Sequence, residues 1–357
     1  MPFPMSTPAL RRRLGVLAAG LLLLGLSAGA VRAEKVEISP AAAAVVAFDK
    51  AGVKPAKHYR IGYLTECVDN AYCLARLAGL KAAAAKYGFT FKIFDAQFNP
   101  ATQAKVVQDA VTEGFDGYLF GPAAAQPGCG LYKRLIKPTG KPVVSIDIAM
   151  CGDPDYTPGL AATFTMQGPA HFYDYMDHAF AMCKGTCKAA AVGGFVGSDL
   201  FGYWEAAIKK AEAKYPNVKV VVDEPGNFDP RIALKKIQDA LLAHPDITMI
   251  FSPWDDETRG VERAVVAAGK VPGKDVMIFS GGATKLGVEK VAAGKWTFTY
   301  AWLPYQEGYY GAVALIMALE GKPIDAYVDE ALMPEVVDTT GTPIITKDNA
   351  AKYHPNY

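Results

Sequence analysis

The chain has 357 residues, 51% of them hydrophobic and 20% charged, with 37 Lys and Arg against 36 Asp and Glu. Such a composition excludes intrinsic disorder, a collagen-like repeat and a coiled-coil rod. A formal charge of +1 lacks the basic surplus of a nucleic-acid binder, and the length points to two lobes rather than one.

At the N-terminus, Arg11, Arg12 and Arg13 precede an apolar stretch from Leu14 to Leu26, and Val31-Arg32-Ala33 offers a small-residue cleavage site. That apolar core of 13 residues falls short of the ~20 needed to span a bilayer. A signal peptide over 1–33 is therefore expected. Its removal takes four Arg and no acid, leaving 33 basic against 36 acidic residues. Export to an oxidising compartment favours disulfides for the six cysteines, Cys67, Cys73, Cys129, Cys151, Cys183 and Cys187. Metal binding has weaker support, because there is no Cys-x-x-Cys pair and the five His are scattered. Fifteen pairings are possible; Cys67 with Cys73, Cys129 with Cys151 and Cys183 with Cys187 are expected.

Residues 34–57 are Ala-rich and are expected to form an N-terminal extension with at most one short helix. From Tyr59 onward, β-prone runs alternate with helical stretches. The runs are Tyr59–Thr65, Thr90–Asp95, Gly117–Phe120, Val143–Asp147, Ala189–Gly194, Val218–Val222, Thr248–Phe251, Val276–Ser280 and Thr297–Tyr300. Helical stretches include Ala71–Tyr87, Ala101–Glu113, Tyr203–Tyr215, Arg231–Ala243 and Thr258–Ala268. In the first of these, Leu74, Leu77, Ala78 and Lys81 recur at helical spacing and predict its apolar face. The alternation predicts an α/β protein of two doubly wound parallel-sheet lobes. An interlobe crossing is expected in the Pro- and Gly-rich stretch Thr157–Met166.

Open parallel sheets bind ligands beyond the carboxyl ends of their strands. The residues there are Glu66, Asp69, Asn70 and Tyr72, then Pro122, Asp147, then Ser198, Asp199, Phe201, Tyr203 and Trp204, then Trp254, Asp255 and Asp256, Gly281, Gly282 and Trp302. Three of the four Trp fall at these exits, and ligand pockets are lined by aromatics with a few placed polar groups.

The order of several short motifs resembles that of the sugar-type solute-binding proteins of ABC importers, the branch with ribose- and galactose-binding proteins. It runs from about Tyr59 to about Asn349, through Ile61-Gly62-Tyr63, Asn70-Ala71-Tyr72, Phe94-Asp95-Ala96-Gln97, Asn99-Pro100-Ala101, Gly114-Phe115-Asp116-Gly117, Gly140-Lys141-Pro142-Val143-Val144 ending in Asp147, and Ala243-His244-Pro245-Asp246-Ile247. The resemblance implies the type I periplasmic-binding-protein fold, two lobes joined by a hinge that closes on ligand. It implies a monomer in the periplasm that serves a small-molecule ligand and an inner-membrane ABC permease, without cofactor or nucleic acid. The expected division is an N-terminal lobe of 58–161 plus 303–333 and a C-terminal lobe of 162–302 plus 334–357.

The resemblance also implies a ligand set. Asn70, Asp147 and Asp255 are retained, and Tyr72 stands for a stacking Phe. A sugar-gripping Arg falls at Trp204, an Asn at Trp254 and a Gln at Trp302, while the Gly-Phe-Asp-Gly turn becomes Phe279-Ser280-Gly281-Gly282. Indoles in place of polar anchors turn the expectation toward a planar aromatic or heteroaromatic ligand, such as a quinone cofactor of the pyrroloquinoline type. The alternatives are a sugar or polyol, or ligand sensing for a chemoreceptor or histidine kinase. No nucleophile elbow, zinc motif or phosphate loop is present, so the chain is expected to bind rather than catalyse.

Overall fold

The structure, a computed structural model, describes residues 37–151 and 156–357. The expected signal peptide over 1–33 lies outside them. Among the described residues no helix is long and apolar enough to cross a membrane.

The strands are β1 (Arg60–Thr65), β2 (Thr90–Asp95), β3 (Gly117–Phe120), β4 (Val143–Asp147), β5 (Ala162–Thr165), β6 (Cys187–Val192), β7 (Val218–Glu224), β8 (Ile247–Phe251), β9 (Met277–Gly282), β10 (Phe298–Ala301), β11 (Tyr327–Asp329) and β12 (Ile344–Thr346). The helices are α1 (Pro40–Ala51), α2 (Ala71–Tyr87), α3 (Pro100–Glu113), α4 (Ala125–Leu131), α5 (Pro169–Ala181), α6 (Asp199–Lys214), α7 (Pro230–Ala243), α8 (Asp255–Ala267), α9 (Lys285–Ala292), α10 (Pro304–Leu319) and α11 (Pro334–Val337).

The strands form two six-stranded sheets, ordered β11-β5-β4-β3-β1-β2 and β12-β10-β9-β8-β6-β7. All pairings are parallel except β10 with the edge strand β12. Strand β5 pairs with β4 in the first sheet, so the first crossing follows Thr165 and the expected boundary at 161/162 moves past it. The N-terminal extension also joins the first lobe. Ala42, Val45, Val46 and Phe48 of α1 are buried in its core, and Asp49 accepts hydrogen bonds from Lys86, Tyr87 and Tyr309.

Helices α2 and α10 pack backbone to backbone. A Cβ on Gly79 would lie 1.9 Å from the Tyr305 carbonyl oxygen, and one on Gly308 would lie 2.0 Å from that of Arg76. The buried face of α2 therefore differs from the predicted one: Leu74, Ala78 and Lys81 are exposed, and Cys73, Arg76, Leu80 and Ala83 are buried. A charged residue in the inward stripe hid the true face from an apolar count.

Three disulfides join Cys67 to Cys73, Cys129 to Cys151 and Cys183 to Cys187, the expected pairings. The first ties the end of β1 to the first turn of α2. The second ties α4 to the loop after β4.

Two expected ligand residues prove to be interior. Trp204 is 1% exposed in the core of the second lobe, with Phe172 and Tyr175 ring centroids 6.1 and 5.5 Å from its own. It lies in α6, on the face turned to the sheet. Asp255 is 0% exposed at the start of α8. Its carboxylate accepts hydrogen bonds from Ser280 Oγ (2.6 Å), Thr299 Oγ1 (2.8 Å), and both the N–H and Oγ1 of Thr284 (2.8 and 2.9 Å). Burial nevertheless pushes its pKa up to about 6. A Cβ on Gly287 would sit 2.0 Å from this carboxylate, so the glycine makes room for it. Asp255 pins α8, β9, α9 and β10 together and has no capacity left for a ligand.

Thiol titration of the denatured, unreduced protein should find no reactive thiol, and replacing Cys129 and Cys151 together by Ser should lower unfolding stability in urea by about 3 kcal/mol. Trp204→Ala should cost about 3–5 kcal/mol by opening a core cavity. Asp255→Ala should cost about 1–3 kcal/mol by orphaning buried donors. Native-like stability of either variant would return that residue to the candidate ligand set.

Candidate functional site

A cavity of about 430 Å³ opens between the lobes at the carboxyl ends of both sheets. Almost every central strand contributes to its wall: Glu66, Asp69, Asn70, Tyr72 and the Cys67–Cys73 bridge follow β1, Phe98 follows β2, and Pro122 follows β3. Asp147 ends β4, with Ile148 beside it, and Gln167 follows β5. From the second lobe come Phe195 and the segment Ser198–Leu200 after β6, Asn227 and Phe228 after β7, Trp254 after β8 and Trp302 after β10. Five of the expected residues thus meet here: Asn70, Tyr72, Asp147, Trp254 and Trp302. Trp204 and Asp255 do not.

Asn70 caps α2, its Oδ1 accepting the Cys73 N–H at 2.9 Å. The Tyr72 hydroxyl donates to Glu307 Oε2 at 2.7 Å, and its ring meets Trp302 edge to face at 5.9 Å. The Trp302 indole N–H donates to His171 Nε2 at 3.2 Å. Burial holds the His171 pKa down to about 3, so this imidazole is neutral and able to accept. Trp254 meets Phe228 at 6.0 Å, and its buried indole N–H has no acceptor among the described residues. Asp147 Oδ1 accepts from Gln167 Nε2 at 2.9 Å.

Backbone strain concentrates here. Phe98, Asp147, Asn227 and Phe228 all have positive φ (52°, 73°, 54° and 54°) although none is glycine, and all four line the cavity. Gln97-Phe98-Asn99-Pro100 in one lobe and Asn227-Phe228-Asp229-Pro230 in the other precede equivalent helices, α3 and α7, and each presents its Phe to the cavity. This Phe-Asx-Pro repeat, separated by 130 positions, is the sequence signal that could have found both rings. Gln167 and Phe195 carry no comparable signal.

Beneath the first lobe's wall lies a buried charge cluster. Arg76 Nη2 contacts Glu66 Oε1, and Nη1 lies 3.7 Å from Glu307 Oε2. Burial raises the Asp147 pKa well above the usual carboxylate range, with Glu66 adding to it and Arg76 opposing. Burial likewise raises Glu307 to about 7 and holds Glu330 well above the usual carboxylate range. Across the cavity, Asp199 Oδ2 accepts the Ala125 N–H at 2.8 Å, a hydrogen bond from α4 of one lobe to α6 of the other.

Such a site can enclose a small molecule between aromatic faces and polar anchors, and it holds no paired nucleophile and base. Residues 61–323 match the family model described as a periplasmic binding protein domain. Among curated proteins, the chain is 25% identical to the ribose import binding protein of Salmonella typhimurium over 266 residues, covering 74% of this chain and 86% of that one. It is 26% identical to the galactofuranose-binding protein of Escherichia coli over 204 residues, 55% of this chain and 62% of that one. Among solved structures, a solute-binding protein from Bacillus halodurans with bound myo-inositol superposes with a TM-score of 0.73 at 17% identity, over 85% of this chain and 100% of that one. With a family match across most of the two-lobed body, the chain belongs to the periplasmic binding proteins, the non-enzymatic ligand-binding components of ABC importers.

Proposed function

We propose that the protein is the periplasmic component of an ABC importer that captures a small polyhydroxylated solute, a sugar or polyol, and hands it to a membrane permease. The observation that carries this reading is the cavity of about 430 Å³ that opens at the strand ends of both lobes, the size of a small-molecule site. The named relatives bind ribose and galactofuranose, and the structural neighbour holds a cyclitol. Export, a monomeric state and delivery to a permease are part of the same proposal.

The planar quinone expectation does not survive. It rested on three indoles replacing polar anchors, and Trp204 is core. Among the described lining residues there is no Lys or Arg to receive a quinone's carboxylates. What remains, Asn70, Asp147, Gln167 and Asn227 beside Trp254 and Trp302, suits hydroxyl groups on one face of a ring and C–H groups on the other.

Titration with furanoses, pyranoses and cyclitols, followed by Trp fluorescence, should find at least one that saturates. Trp254→Ala should weaken that ligand by about tenfold, the worth of one stacking contact, with the unfolding temperature unchanged. Failure of every carbohydrate and cyclitol to bind would refute the reading.

A further inference from the structure

We infer that the solute bound in this cleft carries a positive charge: an ammonium-bearing sugar or polyol rather than a neutral one. This rests on the carbohydrate reading above and specifies its chemistry. Four acidic side chains line the cavity, Glu66, Asp69 and Asp147 from the first lobe and Asp199 from the second, with Glu66 paired to Arg76 and Asp147 held toward its neutral form by burial, while among the described residues no Lys, Arg or His lines it. Arg76 stands behind the wall, and its guanidinium is committed to Glu66 and Glu307. The wall therefore offers acidic acceptors and no cationic donor, its neutral donors being the amides of Asn70, Gln167 and Asn227, the Ser198 hydroxyl and the Trp254 indole N–H.

A neutral aldose needs both. Each of its hydroxyls must find an acceptor and a donor on desolvation, and buried groups left unpaired are costly. An ammonium group supplies three donors and the positive charge that no lining side chain among the described residues provides. It also offsets the repulsion of bringing Asp199 toward the carboxylates of the opposite lobe, so it favours the closed arrangement over the open one, which is the condition for a ligand to drive closure. Trp254, Trp302 and Tyr72 add aromatic faces that attract cations. The same wall repels uronates and phosphorylated sugars. The unpartnered Trp254 indole N–H remains for a ligand hydroxyl oxygen, so the ligand keeps hydroxyl character beside its ammonium group.

The test is calorimetry on the full mature protein with four probes of one scaffold: galactose, galactosamine, N-acetylgalactosamine and galacturonate, repeated with the glucose series and with choline and spermidine. At least one amino sugar should bind about tenfold or more tighter than its neutral parent, with the uronate weakest, and the preference should shrink with added salt. Asp69→Asn, an exposed position, should narrow the amino-to-neutral ratio without altering the unfolding temperature, and Asp147→Asn should narrow it further. A neutral sugar binding as tightly as its amine would overturn the charge assignment and leave the carbohydrate reading standing. Binding of choline or spermidine with no sugar would overturn the carbohydrate reading and leave the charge assignment standing. Binding of none of these probes, and of none of the furanoses and cyclitols titrated above, would overturn both.

Discussion

Arg76 is the one Lys or Arg buried among the described residues, and the floor of the cleft is organised around it. Its guanidinium holds Glu66 at the end of β1 and faces Glu307 on α10, and Glu307 in turn accepts the Tyr72 hydroxyl. A buried ion pair contributes little net stability, because desolvation offsets its attraction, yet removing one partner strands the other and is severely destabilising. The cluster therefore serves position more than stability. It fixes the end of β1 and the first turn of α2, the segment that carries Asn70 and Tyr72. The glycine contacts of α2 with α10 bring the partners within reach, and the Cys67–Cys73 bridge holds the same corner covalently.

The two lobes meet this floor with matched devices. Each presents a phenylalanine on a left-handed turn just before an Asx-capped, proline-started helix, so the strained φ at Phe98 and Phe228 is held by the cap that follows. Strained backbone persists where its surroundings over-determine it, and here it aims aromatic rings at the ligand position. The repeat also implies that both halves of the cleft solve one geometric problem: leaving a parallel strand, turning sharply, and starting a helix while a side chain points back to the axis between lobes.

Much of the architecture was legible because strand–helix alternation and apolar runs report burial directly. Nine strands coincide with sequence runs, whereas β11 and β12, with three residues each at sheet edges, are too short for periodicity to register, and β5, no shorter than β3 or β10, lies inside the Pro- and Gly-rich stretch read as a crossing. The cavity wall was legible by strand exits, where Asn70, Tyr72, Asp147, Trp254 and Trp302 line it. It failed where position along a helix decides. Trp204 lies one turn beyond the start of α6, and its face, not its spacing from a later Pro, determines that it enters the core. Asp255 failed differently. A carboxylate in a matching motif looked like a ligand anchor, but Ser280, Thr299 and Thr284, distant in sequence, consume every lone pair facing them. Only three-dimensional contacts reveal such saturation.

Closure of the cleft is a balance that these residues set. Phe98 and Phe195 remain 49% and 39% exposed at its rim, so apolar area favours drawing the lobes together. The Asp199–Ala125 hydrogen bond adds a directional link between the lobes. A ligand can shift such an equilibrium only by the difference in its affinity for the two arrangements. Contacts made to one lobe alone contribute to capture but nothing to closure. Trp254 and Asp199 on one side, with Tyr72 and Asp147 on the other, line the one cavity between the lobes. On the proposed reading, recognition and closure draw on the same residues, and a solute that satisfies one wall without the other would be held without closing the cleft.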